Sequence, residues 1–412
     1  MSASDGADTV ASLLRRGWGR TEELEDADAI LMTTCSVRRH AEQRAMSLIG
    51  RLREWKARDP NRVLVVAGCV AERLGSRLTR RFPYIDLAIG ARRAESYSEL
   101  IAAELEKKLP PVPTQPATAE PARAVSSLTI MRGCACACTY CVVPSVRGPE
   151  LCRAPEDILS DARARIRSGA RELTLLGQRV NAYSGVHEGR RIDFSDLLRL
   201  LDGLPGLRRL RFMSPHPALC DDRFASAVRD CGNVCPGLHL PIQSGCDRLL
   251  GLMRRGYTRA DLLRTVARLR DAVPGMTLST DIIVGFPSET EGDFMQTLSL
   301  LEELRPAAAF CFKFSAREGT PAASLTDDVP PRIKEERLAR LNALVDRLTA
   351  EALQSQVGSA AEVLAETPHF GRTRAGFKVR WRTAVAPGSL ITVCISAATR
   401  RTLLGDLNEP TA

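Results

Sequence analysis

With 412 residues, of which 44% are apolar and 26% charged, the chain is too long for one ordinary core and is expected to fold as two or three globular domains. No apolar run approaches the roughly 20 residues of a membrane span, and no basic flank with an apolar core opens the chain, so the expected location is cytoplasmic, without a membrane. The net charge of +9 points to a polyanionic partner and says nothing of the fold, while thirteen Cys in such a chain read as metal ligands and buried thiols rather than a disulfide framework.

Residues 1–108 read as alternating strands and helices. Asp28 to Thr33 and Arg62 to Ala67 are continuous apolar runs of strand length, as parallel strands covered on both faces require. Helical patterns follow at Val37 to Trp55 and Val70 to Phe82, and a third strand spans Asp86 to Gly90. The expectation is a small, mostly parallel α/β domain. Both strong strands run into a Cys, Cys35 and Cys69. Ligands of open α/β sheets sit beyond the carboxyl ends of the strands, so the two thiols are expected to meet there; two buried small hydrophobes are the other reading. From Leu109 to Ser126, five prolines among small residues predict a semi-extended linker.

The next stretch, Thr129 to Arg153, carries Cys134, Cys138 and Cys141 at intervals of four and three. Three thiolates on one short loop can hold a four-iron, four-sulfur cube at three corners. A fully protein-ligated cluster takes four Cys, so the fourth iron would stay open to another ligand. A structural zinc site wants four closed ligands, and no second Cys or His pair follows at finger-like spacing. Cys136 as a fourth ligand would crowd two donors onto alternate residues, and plain electron transfer is the remaining alternative.

Between Ser127 and Leu325 six strands are predicted, at Leu128 to Met131, Glu172 to Leu176, Leu207 to Phe212, Leu238 to Ile242, Thr277 to Val284 and Ala308 to Phe314. Helices separate them near Ala154 to Ser168, Asp193 to Leu201, Arg223 to Asp230, Asp247 to Asp271 and Glu289 to Leu304. Such alternation implies a parallel sheet, open or curled into part of a barrel, with the site at the C-terminal strand ends. The three-Cys loop follows the first strand. Polar, Gly-containing segments around Gln178, Ser214, Gln243 and Gly285 follow later ones, so one rim would collect them all.

Pro331 to Leu348 reads as a helix with Leu338, Leu341, Val345 and Leu348 on one stripe. Val357 to Leu407 turns strand-like, and Phe370 to Arg382 alternates cations with Phe377 and Trp381. This predicts a small β-barrel whose exposed basic and aromatic face holds phosphates and stacks bases, with Arg372, Arg374, Lys378 and Arg380 as RNA contacts. A solvated edge strand that prevents aggregation is the competing reading.

The spacing of Cys134, Cys138 and Cys141 resembles the radical S-adenosylmethionine (SAM) superfamily, in which the amino and carboxylate groups of SAM chelate the open iron. Further stretches extend the likeness: Thr34-Cys-Ser-Val-Arg38, Ala67-Gly-Cys69, Met131 through Pro144, Leu175-Leu-Gly-Gln-Arg-Val-Asn-Ala-Tyr183, His239-Leu-Pro-Ile-Gln-Ser-Gly245, Met253-Arg-Arg-Gly-Tyr-Thr258, Asp281-Ile-Ile-Val-Gly-Phe-Pro287 and Gly371-Arg-Thr373. Together they make essentially the whole chain similar to the methylthiotransferases of that superfamily. The resemblance implies three domains: an auxiliary-cluster domain over 1–108, a partial (β/α)6 radical SAM barrel over 127–355, and an all-β, RNA-binding TRAM barrel over 356–412. Leu175 to Tyr183 is most similar to the branch that modifies isopentenylated adenosine at position 37 of transfer RNA. Sister branches act on threonylcarbamoyladenosine or on an aspartate of a ribosomal protein.

The implied cofactors are SAM and two [4Fe-4S] clusters, one on Cys134, Cys138 and Cys141, the other on Cys35 and Cys69. Carbon 2 of adenine has no acidic proton, so the family splits SAM to a 5′-deoxyadenosyl radical that removes that hydrogen. Sulfur then comes from the auxiliary cluster and methyl from a second SAM, which implies that the two clusters face one another. Tyr140, Gln178, Asn181, Gln243 and Arg317 are candidates for contacts to SAM or the base; the competing reading is that some of them close loops by hydrogen bonding. The implied partners are a transfer RNA anticodon stem-loop, a flavodoxin- or ferredoxin-type reductant and a sulfur donor, with the chain acting as a monomer.

The chain also departs from the family pattern. The auxiliary cluster usually has a third Cys, in an N-terminal Gly-Cys-Gln-Met-Asn-x-x-Asp stretch, and Met1-Ser2-Ala3-Ser4-Asp5 lines up with its last five positions. The expectation is a chain that begins at an internal Met and lacks its first strand and one ligand. If the start is genuine, the rivals are an enzyme that cleaves SAM without inserting sulfur and an RNA-binding protein with a structural cluster. Smaller departures are Thr33, Cys136, Ala137, Cys152, Cys246 and Ser288. Cys220, Cys231, Cys235, Cys311 and Cys394 are expected to pack as small hydrophobes.

Overall fold

The structure, a computed structural model, describes residues 1–36, 39–109 and 123–407. Most of the expected proline linker and the pair Val37-Arg38 lie outside the described residues. The chain forms two compact units, Met1–Pro121 with Arg132–Cys136 and Cys141–Glu150, and Ala122–Met131 with Ala137–Tyr140 and Leu151–Ala412.

In the first unit three parallel strands, β1 (Ala29–Thr34), β2 (Val63–Gly68) and β3 (Leu87–Gly90), pair in that order. Every residue of β2 is buried, which is why its sequence is an unbroken apolar run. Successive side chains point to opposite faces. Val63, Val65 and Ala67 pack with Ile101, Ala102 and Leu105 of helix Tyr97–Lys108, whereas Leu64 and Val66 pack with Ile49 and Trp55 of helix Arg39–Arg58. Each fully buried Val or Leu contributes roughly 2 kcal/mol.

The stretch read as one helix from Val70 to Phe82 is two, Cys69–Leu74 and Ser76–Arg81, divided at Gly75 with φ +51°. A further helix, Ser2–Arg15, buries Ser4, Asp5, Gly6 and Thr9 along with Leu13, a face too polar for apolar periodicity to announce it.

In the second unit six parallel strands follow the predicted order: β4 (Val125–Thr129), β5 (Glu172–Leu176), β6 (Arg209–Phe212), β7 (Gly237–His239), β8 (Thr277–Val284) and β9 (Ala308–Lys313). They form two sheets, β6-β5-β4 and β7-β8-β9, bridged in parallel at Leu210 and Val234, so spatial order matches chain order as in a partial barrel. β4 begins inside the span expected to be linker.

Four of the helices between strands start at side-chain caps. Asp193, Asp221, Thr258 and Thr290 each accept the backbone N–H three residues on, satisfying a donor that the helix leaves open. The helix expected over Asp247 to Asp271 is two, Asp247–Leu252 and Arg259–Ala272, because Arg254 and Gly256 adopt φ of +55° and +72°. A hairpin of Ser184–His187 with Arg190–Asp193 was not foreseen. Its turn residues Glu188 and Gly189 both have positive φ, as a two-residue hairpin turn demands.

Five strands, β10 (Ala360–Thr367), β11 (Phe370–Thr373), β12 (Lys378–Arg380), β13 (Leu390–Ala398) and β14 (Leu403–Leu407), close into a barrel ordered β10-β11-β12-β14-β13. This barrel shares a unit with the partial barrel and is tied to it by two arginines of β6. Arg209, fully buried, donates to the carbonyls of Arg372 (2.5 Å) and Glu362 (3.1 Å). Arg211 donates to those of Thr373 (2.7 Å) and Arg374 (3.0 Å). No helix of the described residues is long and apolar enough to cross a membrane.

Candidate metal centre

β1 and β2 deliver Cys35 and Cys69 side by side. Their last residues, Thr34 and Gly68, are register partners, and each Cys follows directly. The Thr34 hydroxyl ties the two ends, donating to the Ala67 carbonyl (2.8 Å) and accepting the Val70 N–H (3.2 Å). Gly68 has φ +109°, and a Cβ there would lie 2.4 Å from the Thr34 carbonyl oxygen, so no larger residue fits the approach.

Cys69 is buried against Val142 and Val146. Its sulfur receives the Ser36 N–H and the Arg147 guanidinium; burial pushes the thiol up in pKa, and Arg147 opposes this. Arg147 is itself buried and donates to Ser2 Oγ (3.1 Å) and Asp5 Oδ2 (3.2 Å). Asp5, 4% exposed, also takes Arg132 Nη1 at 2.5 Å. Two arginines therefore share one buried carboxylate beside the two thiols.

The three-Cys loop opens at Gly133 (φ +71°), where a Cβ would meet the Pro149 carbonyl at 1.8 Å. The Cys134 N–H donates to the Gly148 carbonyl (3.2 Å), and Thr139 is held by the carbonyls of Met253 and Leu252. Each sulfur accepts a hydrogen bond: Cys134 from the Cys136 N–H (3.4 Å), Cys141 from the Val143 N–H (3.4 Å), and Cys138 from Arg255 Nη1 (3.2 Å). Donors aimed at sulfur favour thiolate over thiol, the form that ligates metal. Among the described residues no three His, Cys, Asp or Glu side chains are grouped as a single metal ion requires. A four-iron cube instead spreads its thiolates, one to each iron, and three donor-supplied Cys suit it.

The loops beyond β5 to β9 hold the remaining candidates. Tyr140 packs against Cys246, Leu249, Met253, Phe286, Phe314 and Ala322. Gln243 sits in the left-handed region (φ +77°), with its backbone bonded to Asp281 and Ile283. Gln178 and Arg317 are half-buried on the loops after β5 and β9. Asn181 has its amide engaged in closing two loops: Nδ2 donates to the His216 carbonyl (3.0 Å), and Oδ1 accepts the His216 N–H (2.7 Å). His216 is held well below its usual pKa, at about 3, by burial and then by the charges of Arg255 and Arg179; it is therefore neutral at pH 7.

In the small barrel the expected aromatic face is corrected. Phe377 and Trp381 are 9% and 5% exposed and pack in the core with Val379. Because the side-chain period of a strand is two, the same alternation sends Lys378, Arg380 and Arg382 outward. Arg374 donates to the carbonyls of Gly232 (2.6 Å) and Val234 (3.0 Å), and Arg372 pairs with Glu366 at 3.2 Å. The exposed cations of this stretch are thus Lys378, Arg380 and Arg382, with no exposed rings between them.

Residues 128–301 match the Radical SAM superfamily model, and residues 1–90 match that of Uncharacterized protein family UPF0004. A tRNA-2-methylthio-N(6)-dimethylallyladenosine synthase of Syntrophobacter fumaroxidans is 40% identical over 99% of this chain and 93% of its own length. A synthase of the same name from Acidothermus cellulolyticus is 39% identical over 97% of this chain and 84% of its own. The chain belongs to this synthase family. Among solved structures, the radical SAM methyltransferase TsrM of Kitasatospora setae, with tryptophan and aza-SAM bound, superposes with a TM-score of 0.54 at 15% identity, over 78% of this chain and 77% of that one. At that identity the likeness concerns the fold alone.

Within the synthase fold, sequence reasoning missed Asp5, Arg132, Arg147 and Arg255. Arg255 lies in the quoted Met253–Thr258 stretch and Arg147 six residues beyond Cys141, but only the tertiary structure shows a guanidinium facing sulfur.

Proposed function

We propose that this chain is a transfer RNA methylthiotransferase that adds a methylthio group to carbon 2 of dimethylallyl (isopentenyl) adenosine at position 37. The observation that carries the reading is the near full-length likeness to synthases of that name, together with a loop on which all three Cys sulfurs accept hydrogen bonds. Cys134, Cys138 and Cys141 would hold one [4Fe-4S] cluster, and Cys35 and Cys69 an auxiliary one. When bound, these groups supply the electron that splits SAM and the sulfur that is inserted.

The protein's own residues bind and orient. The backbone at Cys136 and Val143 keeps two thiolates in register, and Arg255 keeps the third. Tyr140 walls the loop, while Gln178, Gln243 and Arg317 offer amide and guanidinium groups at the rim to SAM or the base. Asn181 fixes the rim's shape through His216. Lys378 and Arg380 meet the phosphates of an anticodon stem-loop, and Arg372 and Arg374 hold the barrel that carries them. In this reading residues 1–108, 127–355 and 356–412 are the auxiliary-cluster, SAM and RNA domains. The protein works in the cytoplasm as a monomer, with a flavodoxin- or ferredoxin-type reductant and a sulfur donor.

Anaerobic reconstitution should give about eight irons per chain, four for each cluster. Nucleosides from cells lacking the gene should lose the methylthio group and regain it on complementation. About four irons, with SAM cleavage but no methylthio product, would replace this reading with an enzyme that has lost sulfur insertion.

A further inference from the structure

We propose that Arg255 sets the reduction potential of the cluster held by Cys134, Cys138 and Cys141, acting as a positioning residue through the Cys138 sulfur; the proposal rests on the cluster reading above. Arg255 is 6% exposed, and its fork is fully committed. Nη1 donates to Cys138 Sγ (3.2 Å), Nε to the Tyr257 hydroxyl (2.8 Å) and Nη2 to the Pro241 carbonyl (2.9 Å). Tyr257 is anchored in turn, donating to the Ile242 carbonyl at 2.9 Å. The left-handed residues Arg254 and Gly256 break the helix on either side and so aim the side chain between them.

The decisive feature is charge. Among the described residues no carboxylate pairs with Arg255; its partners are a phenol, a carbonyl and a thiol. An isolated buried cation is strongly disfavoured unless it is paired. Its ionisable neighbours are Tyr140, Tyr257 and Cys138, of which Cys138 takes the Nη1 hydrogen bond, and a thiolate-bound cluster held there is anionic. Reduction adds one further negative charge to that cluster. A fixed cation that also donates a hydrogen bond to a ligand sulfur stabilises the reduced form more than the oxidised one, and hydrogen bonds to sulfur are an established control on cluster potential. Arg255 therefore holds the potential higher, easing delivery of the electron from a biological reductant.

The test uses the full-length chain with Cys35→Ala and Cys69→Ala, so that one cluster is observed, reconstituted anaerobically with and without Arg255→Gln or Arg255→Lys. Iron per chain is counted, and the midpoint is read by redox titration followed by electron paramagnetic resonance. The expected result is equal iron, a more negative midpoint for Arg255→Gln, and an intermediate one for Arg255→Lys, which keeps the charge and loses the fork. Equal midpoints in all three overturn the proposal. Should Arg255→Gln take up less iron, the midpoint of its loaded fraction decides: one matching the parent overturns the proposal, and a more negative one supports it. A parent chain that takes up no iron removes the cluster reading, and this proposal with it.

Discussion

Asp5 and Arg147 form an ion pair at 3.2 Å in which both side chains are almost fully buried, at 3% and 5% exposure. The pair is part of a triad, since Arg132 reaches the other carboxylate oxygen at 2.5 Å, and Arg147 continues to the Cys69 sulfur. The N-terminal helix thereby fixes the charge beside the candidate auxiliary ligands.

Asp5→Ala should accordingly cost about 3 kcal/mol, because it takes the carboxylate partner from the buried Arg147 and the nearer one from half-buried Arg132. Urea unfolding of the cluster-free protein measures this. A loss below about 1 kcal/mol, the usual worth of an exposed pair, would show that the triad is solvated in solution.

Much of this arrangement was legible beforehand, and the reason differs by element. Glu172–Leu176 and Thr277–Val284 have the bounds predicted for them; in the second every other residue is buried, the period of two that a strand imposes on its sequence. The helices divided at Gly75 and at Arg254 did not show, because helical periodicity continues across a break whose cause is a backbone dihedral. Phe377 and Trp381 misled for another reason. Rings alternating with cations fit either an exposed stacking face or an inward core, and only closure of the five-stranded barrel, whose interior those rings fill, decides between them. Cys134, Cys138 and Cys141 announce themselves by spacing. Arg147 and Arg255 do not, because among 58 Lys and Arg residues nothing local marks the few that face sulfur.

Ser288 adopts φ +66°, a conformation costing a non-glycine residue roughly 1–2 kcal/mol. Ser288→Gly removes that cost and loses one exposed hydrogen bond, from Arg248 to the hydroxyl at 3.0 Å, worth less. The variant should be more stable by about 0.5–1 kcal/mol, seen as a higher midpoint in thermal unfolding. A lower midpoint would mean that the Arg248 contact outweighs the backbone strain.

The neutral His216 gives stability a definite slope with pH. Its folded value is about 3, depressed by burial and then by Arg255 and Arg179, against roughly 6.5 for an unfolded His. Between those values the unfolded chain binds a proton that the folded chain does not, so this contribution is complete above pH 6.5 and is lost as pH falls toward 3. His216→Phe should flatten the dependence of the urea midpoint between pH 6.5 and 4 in cluster-free protein. Parallel slopes in the two proteins would show that the ring is solvated.

The small barrel separates two roles that its cations could share. Lys378 and Arg380 point to solvent from β12, whereas Arg374 bonds to the carbonyls of Gly232 and Val234 in the partial barrel. Each phosphate contact releases counterions, so Lys378→Ala with Arg380→Ala should weaken binding to an anticodon stem-loop and lower the slope of log affinity against log salt by about 2. Thermal stability should hold, as exposed surface changes usually stay within about 0.5 kcal/mol. Arg374→Ala should do the reverse, lowering stability by about 1–2 kcal/mol through two unpaired carbonyls while leaving the salt slope in place. Filter binding across a salt series, paired with thermal unfolding, distinguishes the roles. If Arg374→Ala reduces the salt slope as much as the β12 pair does, then Arg374 leaves its carbonyls to meet RNA, and the division of labour drawn from the structure fails.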